Sequence, residues 1–152
     1  MLNIIFISFV IQISMNGFAG FDFGSDKKFV SQIILTKENA KLFKSTTDTI
    51  IYSGDKYNGI PIKYWYFIFN KNKLSSINLE LAGDGNEQSI YFKSLKNTLT
   101  KTYGKHTTID QNKNNLKIKW LFYFPQATET ASTFIELNFS NNRTLTIKSG
   151  IN

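Results

Sequence analysis

The stretch from Ile62 to Leu81 constrains the fold most. It reads Ile-Lys-Tyr-Trp-Tyr-Phe-Ile-Phe, then Asn-Lys-Asn-Lys, then Leu-Ser-Ser-Ile-Asn-Leu-Glu-Leu. Two runs of alternating character around a short polar turn predict a β-hairpin. The return run, 74–81, is one-sided. Ile77, Leu79 and Leu81 share one face, and Ser76, Asn78 and Glu80 the other. The first run, 62–69, is apolar or aromatic on both faces, with Trp65, Phe67 and Phe69 against Tyr64, Tyr66 and Ile68. A strand of this kind is covered on both sides or presents an aromatic surface. Pairing Trp65, Phe67 and Phe69 with the apolar side of the return strand makes them core. Tyr64 and Tyr66 then fall on the side of Asn78 and Glu80.

Similar alternation recurs downstream. Leu116, Ile118, Trp120, Phe122 and Phe124 alternate with Lys117, Lys119, Leu121 and Tyr123. Ile135, Leu137 and Phe139 mark a further strand, and Leu145 and Ile147 the last. Lys41–Lys44 and Thr49–Tyr52 read as two short strands, and Ser53–Pro61, with two glycines, as a loop. Two segments have helical spacing instead. Asp26–Ile34, entered through Ser25 as cap, carries Phe29, Val30, Ile33 and Ile34. Glu87–Tyr103 has an apolar stripe of Tyr91, Leu95 and Leu99, with Phe92 and Tyr103 at its edges, Asn86 as cap and Gly104 as its stop. The order is helix–strands–helix–strands. It predicts an α+β fold in which an antiparallel sheet of about six to eight strands carries two helices on one face. Each half is one helix followed by a strand meander, which suggests a doubling, although identity between the halves is slight.

Residues 1–19 have the form of a signal peptide. Met1–Gly20 carries no charged side chain, 2–13 is strongly apolar, and Gly17 and Ala19 fit a small-x-small cleavage site after Ala19. That leaves 20–152 as a single domain of about 130 residues, enough for one core and without a membrane span. The expected location is periplasmic or secreted. The chain has no cysteine, which excludes disulfides, thiolate metal sites and a cysteine nucleophile.

The net charge of +7 could suit nucleic acid, anionic lipid or an acidic glycan. Arg143 is the only arginine, so bidentate phosphate recognition has almost nothing to work with. Lysine, asparagine, isoleucine and phenylalanine are abundant together, as an AT-rich genome encodes, and the charge reads as mainly compositional. His106 is the only histidine and follows a helix stop, with no Gly-x-Ser-x-Gly elbow in the chain. Asp84-Gly-Asn-Glu87 has a faint calcium-loop look but lacks the remaining ligands, and reads as a turn plus helix cap. No dinucleotide or phosphate-cradling glycine pattern occurs. No cofactor, metal or catalytic residue is expected.

The outer sheet face carries the functional signal. Tyr64, Tyr66, Lys117, Lys119, Tyr123, Phe134 and Lys148 share it if the tryptophans are core. Aromatics interleaved with lysines can stack bases or anchor a partner. Export makes a protein or an anionic envelope glycan or lipid the expected partner, rather than nucleic acid. A homodimer that covers the face is the competing expectation.

Phe23-Gly24-Ser25, followed by the Val30/Ile33 helix, resembles the helix entry of SmpA/OmlA-type outer-membrane lipoproteins and of beta-lactamase-inhibitor-protein-like domains. Phe69-Asn-Lys-Asn-Lys-Leu74 and the helix ending in Tyr103-Gly104 have the look of small exported bacterial α+β proteins. The chain departs from the lipoprotein pattern in having no cysteine for a lipid anchor, no proline after Gly104 and more strands. The resemblance implies an exported binding or assembly domain of the bacterial envelope, not an enzyme. The alternative is a small secreted enzyme or enzyme inhibitor acting on envelope or host material.

Overall fold

The computed structural model describes residues 15–113, 115–123, 132–140 and 145–151, and for Tyr123 and 145–149 it describes the backbone only. Most of the leader segment, 1–14, lies outside the described residues. The fold is α+β in the order helix–strands–helix–strands.

A small hairpin, β1 (Gly17–Phe18) and β2 (Phe21–Asp22), opens the described chain. Helix α1 (Lys27–Leu35) follows, capped by Asp26 rather than Ser25, because the Asp26 Oδ1 accepts from the Phe29 backbone N–H at 2.8 Å. The first meander then runs through β3 (Lys41–Ser45), β4 (Thr49–Ser53), β6 (Ile60–Asn70) and β7 (Lys73–Leu81). The segment expected to be a plain loop, 53–61, holds the two-residue strand β5 (Lys56–Tyr57), which folds back on β6. Asn58 and Gly59 form its turn, at φ 49° and 79°. This is the Asn-Gly pair that a mirror-image hairpin turn selects.

Helix α2 (Gly85–Tyr103) is capped two residues earlier than Asn86 suggests. Asp84 is the cap and accepts from the Asn86 and Glu87 backbone N–H groups, while the Glu87 carboxylate accepts from the Asp84 N–H at 3.0 Å. The calcium-like residues are therefore spent on a capping box. Its buried stripe is Gln88, Phe92, Leu95 and Leu99, so the burial axis runs through Phe92 and leaves Tyr91 half-buried. Gln88 is tolerated inside because its Nε2 donates to the Gly83 and Leu81 carbonyls. The second meander is β8 (Thr108–Gln111), β9 (Asn115–Tyr123), β10 (Ser132–Ser140) and β11 (Leu145–Ile151).

The two meanders join into one nine-stranded sheet in the order β3-β4-β6-β7-β11-β10-β9-β8, with β5 attached to β6. Every pairing is antiparallel, and the seam between the halves is β7–β11, where Leu79 faces Ile147 in register. Each helix thus precedes a four-stranded meander, the arrangement a doubled unit gives.

Alternation places the core as the sequence predicts. Trp65, Phe67, Phe69, Ile77, Leu79, Leu81, Ile118, Trp120, Phe122, Ile135 and Leu137 are buried. Both helices pack on that face. Ile34 of α1 lines an apolar crevice with Tyr52, Trp65 and Phe67, too narrow to admit water. Phe92 and Tyr103 of α2 meet Phe139 and Phe122 through ring centroids 5.6 and 5.4 Å apart. The two indoles are anchored alike, Trp65 donating to the Gly54 carbonyl at 2.9 Å and Trp120 to the Gly104 carbonyl at 3.0 Å. No described helix is long and apolar enough to cross a membrane.

Candidate functional site: the outer sheet face

The register lines up the candidate residues in rows across the outer face. One row runs Ile51, Tyr66, Asn78, Lys148, Glu136, Lys119. The next runs Ser53, Tyr64, Glu80, Thr146, Asn138, Lys117. A third runs Ile68, Ser76, Gly150, Phe134, Leu121. Tyr64, Tyr66, Lys117, Lys119 and Phe134 therefore share one face, opposite both helices. Lys148 holds a register position in the middle of it. Tyr123 faces Ser132 across β9 and β10, one residue on from the core pair Phe122 and Thr133. The side chains of Lys148 and Tyr123 lie outside the described residues.

The face is not one continuous aromatic platform. Three strands separate β6 from β9, about 19 Å at the usual strand spacing, and the side chains gather in two clusters. On the β6 side, the Phe43 and Tyr64 rings are 5.0 Å apart and the Tyr64 and Tyr66 rings 6.1 Å apart. The Tyr66 hydroxyl donates to Glu80 Oε2 at 3.0 Å, and the Lys63 ammonium donates to Glu80 Oε1 at 2.8 Å while lying over the Tyr64 ring. On the β9–β10 side, the Lys119 ammonium lies 4.6 Å from the Phe134 ring centre, and Lys117 pairs with Glu136 at 3.8 Å. Phe134 also closes over Gly150, where an added Cβ would come within 3.3 Å of its ring.

Phe43 and Lys63 enter this face through two register shifts. One falls between Leu42 and Lys44, the other between Ile62 and Tyr64. The extra residue at a bulge re-aims a side chain. Strict alternation cannot reveal either residue, which is why the sequence reading passes over both. Glu80 and Glu136 complete the face, and their legible signal is their position on the polar side of one-sided strands.

Desolvation, with a smaller contribution from the bond to Glu80, pushes the Tyr66 phenol up to about 12. It is a neutral donor at any physiological pH. Glu80 in turn holds the exposed Lys63 ammonium above its ordinary range, through the hydrogen bond first and charge attraction second. The face therefore offers fixed rings, lysine charge and two carboxylates already engaged by lysines. An exposed pair such as Lys63–Glu80 adds little stability. It orients the side chains.

Among the described residues, no group of three or more histidine, aspartate or glutamate side chains is placed to hold a metal ion. His106 stands edge-on to Trp120, ring centres 6.1 Å apart, at the end of the sheet away from the Glu80 cluster. Compared with protein-family models, curated proteins and solved structures, the chain matches none.

Proposed function

We propose that this chain is an exported, non-enzymatic binding or assembly domain of the bacterial envelope, and that it docks a protein partner on its outer sheet face. One observation carries the reading: two aromatic–lysine clusters lie on the side of the sheet that neither helix covers. Rings held in place by neighbouring rings and ion pairs lose little entropy on docking, which favours them as anchors. The uncompensated lysine charge suits an acidic partner surface. The apolar segment 2–13 supports export.

A photo-crosslinking residue at Tyr64 should trap a discrete partner in envelope fractions, and one at Lys93 on the outer side of α2 should not. Combining Tyr66→Ala with Lys119→Glu should abolish the Tyr64 adduct while the melting temperature stays within a few degrees. Equal trapping from both positions would sink the proposal. An adduct of twice the chain mass, with concentration-dependent sedimentation, would identify the occupant as a second copy instead.

A further inference from the structure

We propose that Met15–Gly20 is a permanent part of the folded domain, so that any removal of an N-terminal leader occurs upstream of Met15 and not after Ala19. The residues that make Gly17-Phe-Ala19 look like a cleavage site have a different explanation in the fold. Gly17 pairs with Asp22, and Phe18 with Phe21, leaving Ala19 and Gly20 as a two-residue hairpin turn. Both have positive φ, 55° and 85°. That is the combination a mirror-image hairpin turn demands. Gly17 is small because there is no room for anything larger. A Cβ there would lie 2.3 Å from the Phe21 carbonyl oxygen and 2.9 Å from the Asp22 Cα, both backbone atoms that cannot swing aside.

The hairpin is also an integral piece of the core. Met15, Phe18 and Phe21 are 4%, 2% and 1% exposed. The Phe18 ring meets Tyr57 at 5.2 Å, and Phe21 meets Phe67 edge-on at 4.7 Å. The Phe23 N–H donates to the Asn16 carbonyl at 2.9 Å, and the Gly24 N–H to the Leu74 carbonyl at 2.8 Å, tying the hairpin to the start of β7. Cutting after Ala19 would remove two buried side chains, Met15 and Phe18, and strand β1. It would also place a charged amine on Gly20, next to the buried Phe21. Losing a buried phenylalanine side chain alone is among the costliest core changes.

Two substitutions separate the readings, because the two roles want different residues. Alanine at position 17 satisfies a small-residue rule, whereas in the hairpin Gly17→Ala collides with backbone and should lower the melting temperature by several degrees. Asparagine at position 19 blocks a small-residue cleavage site, whereas in the turn Ala19→Asn creates the favoured Asn-Gly pair and should leave the melting temperature equal or higher. The full chain should be expressed in a bacterial host with export machinery, and the accumulated protein weighed intact. The expected first residue is Met15 or one before it, in the wild type and in Ala19→Asn alike. A wild-type chain beginning beyond Met15 would overturn the proposal. So would a precursor that accumulates only in Ala19→Asn, or a Gly17→Ala protein that melts with the wild type.

Discussion

At the scale of single residues, the two tryptophans show how a side chain that the pattern places in the core acquires a second task. Period-two alternation puts Trp65 and Trp120 inside, and both are buried. Their N–H groups then need acceptors, which burial makes compulsory. They find them in carbonyls at Gly54 and Gly104, 11 and 16 residues away, at the ends of loops. Gly54 is fixed in that role, since it sits at φ 85° and a Cβ would lie 2.3 Å from the Asn39 carbonyl oxygen. Lys37 adds a cation over the Trp65 ring and an ion pair to Asp55 at 3.1 Å. Trp65→Phe keeps most of the ring but strands the Gly54 carbonyl, and should cost about 1–3 kcal/mol. A urea midpoint shift at unchanged slope checks this.

At the scale of elements, the helices owe their boundaries to side chains one or two positions removed from those the sequence pattern favours. Ser25 and Asn86 are good cap residues by type. Asp26 and Asp84 take the positions because their carboxylates reach the free N–H groups of the first turn. A carboxylate there also meets the positive end of the helix dipole. Asp84→Ala should cost about 1 kcal/mol. Glu87→Ala in that background should cost less than in the wild type, because the two close one capping box; a double-mutant cycle read by thermal melts tests the coupling. The hairpin between β6 and β7 closes through Lys71 and Asn72, at φ 48° and 63°. Asparagine tolerates the left-handed conformation, and Lys71 joins Asn72 in it because a type I′ turn requires positive φ at both positions. The pair Asn58-Gly59 carries the same signal in plain view. It reads as loop only because the strand it serves, β5, is two residues long.

At the scale of the whole molecule, the two halves share a sheet and a core, and buried phenols report on that assembly. Burial pushes Tyr57 up to about 12, with nearby Tyr103 adding a smaller repulsion and an Asn58 hydrogen bond opposing it; Tyr103 is itself raised by burial. Tyr57 belongs to the first half and Tyr103 to the second. An unfolded tyrosine ionises near 10, so the folded chain keeps these protons longer. The stability they contribute is complete below pH 10 and is lost as pH climbs from about 10 to about 12. For Tyr57 the loss is at most about 2–3 kcal/mol. Tyrosinate absorbance should show a late-titrating fraction that collapses into the ordinary one on unfolding. Tyr57→Phe should flatten the alkaline fall in melting temperature, and an unchanged fall would remove Tyr57 from its cause.

The sequence by itself determined the class of fold, the element order, and which face of each long strand is core. These follow from local periodicity, which a strand or helix carries within its own few residues. It also grouped Tyr64, Tyr66, Lys117, Lys119 and Phe134 on one face, because parity relative to the tryptophans is a local property. Only the tertiary structure decided how far apart they stand and what each side chain meets. Strand order put β7, β11 and β10 between the tyrosines and the lysines. Bulges brought in Phe43 and Lys63, and register set Glu80 beside Tyr66 and Glu136 beside Lys117. Those are relations between distant segments, fixed by pairing. For the same reason the Gly17-Phe-Ala19 stretch is a processing signal when read alone and a hairpin turn once Phe21 and Asp22 are opposite it.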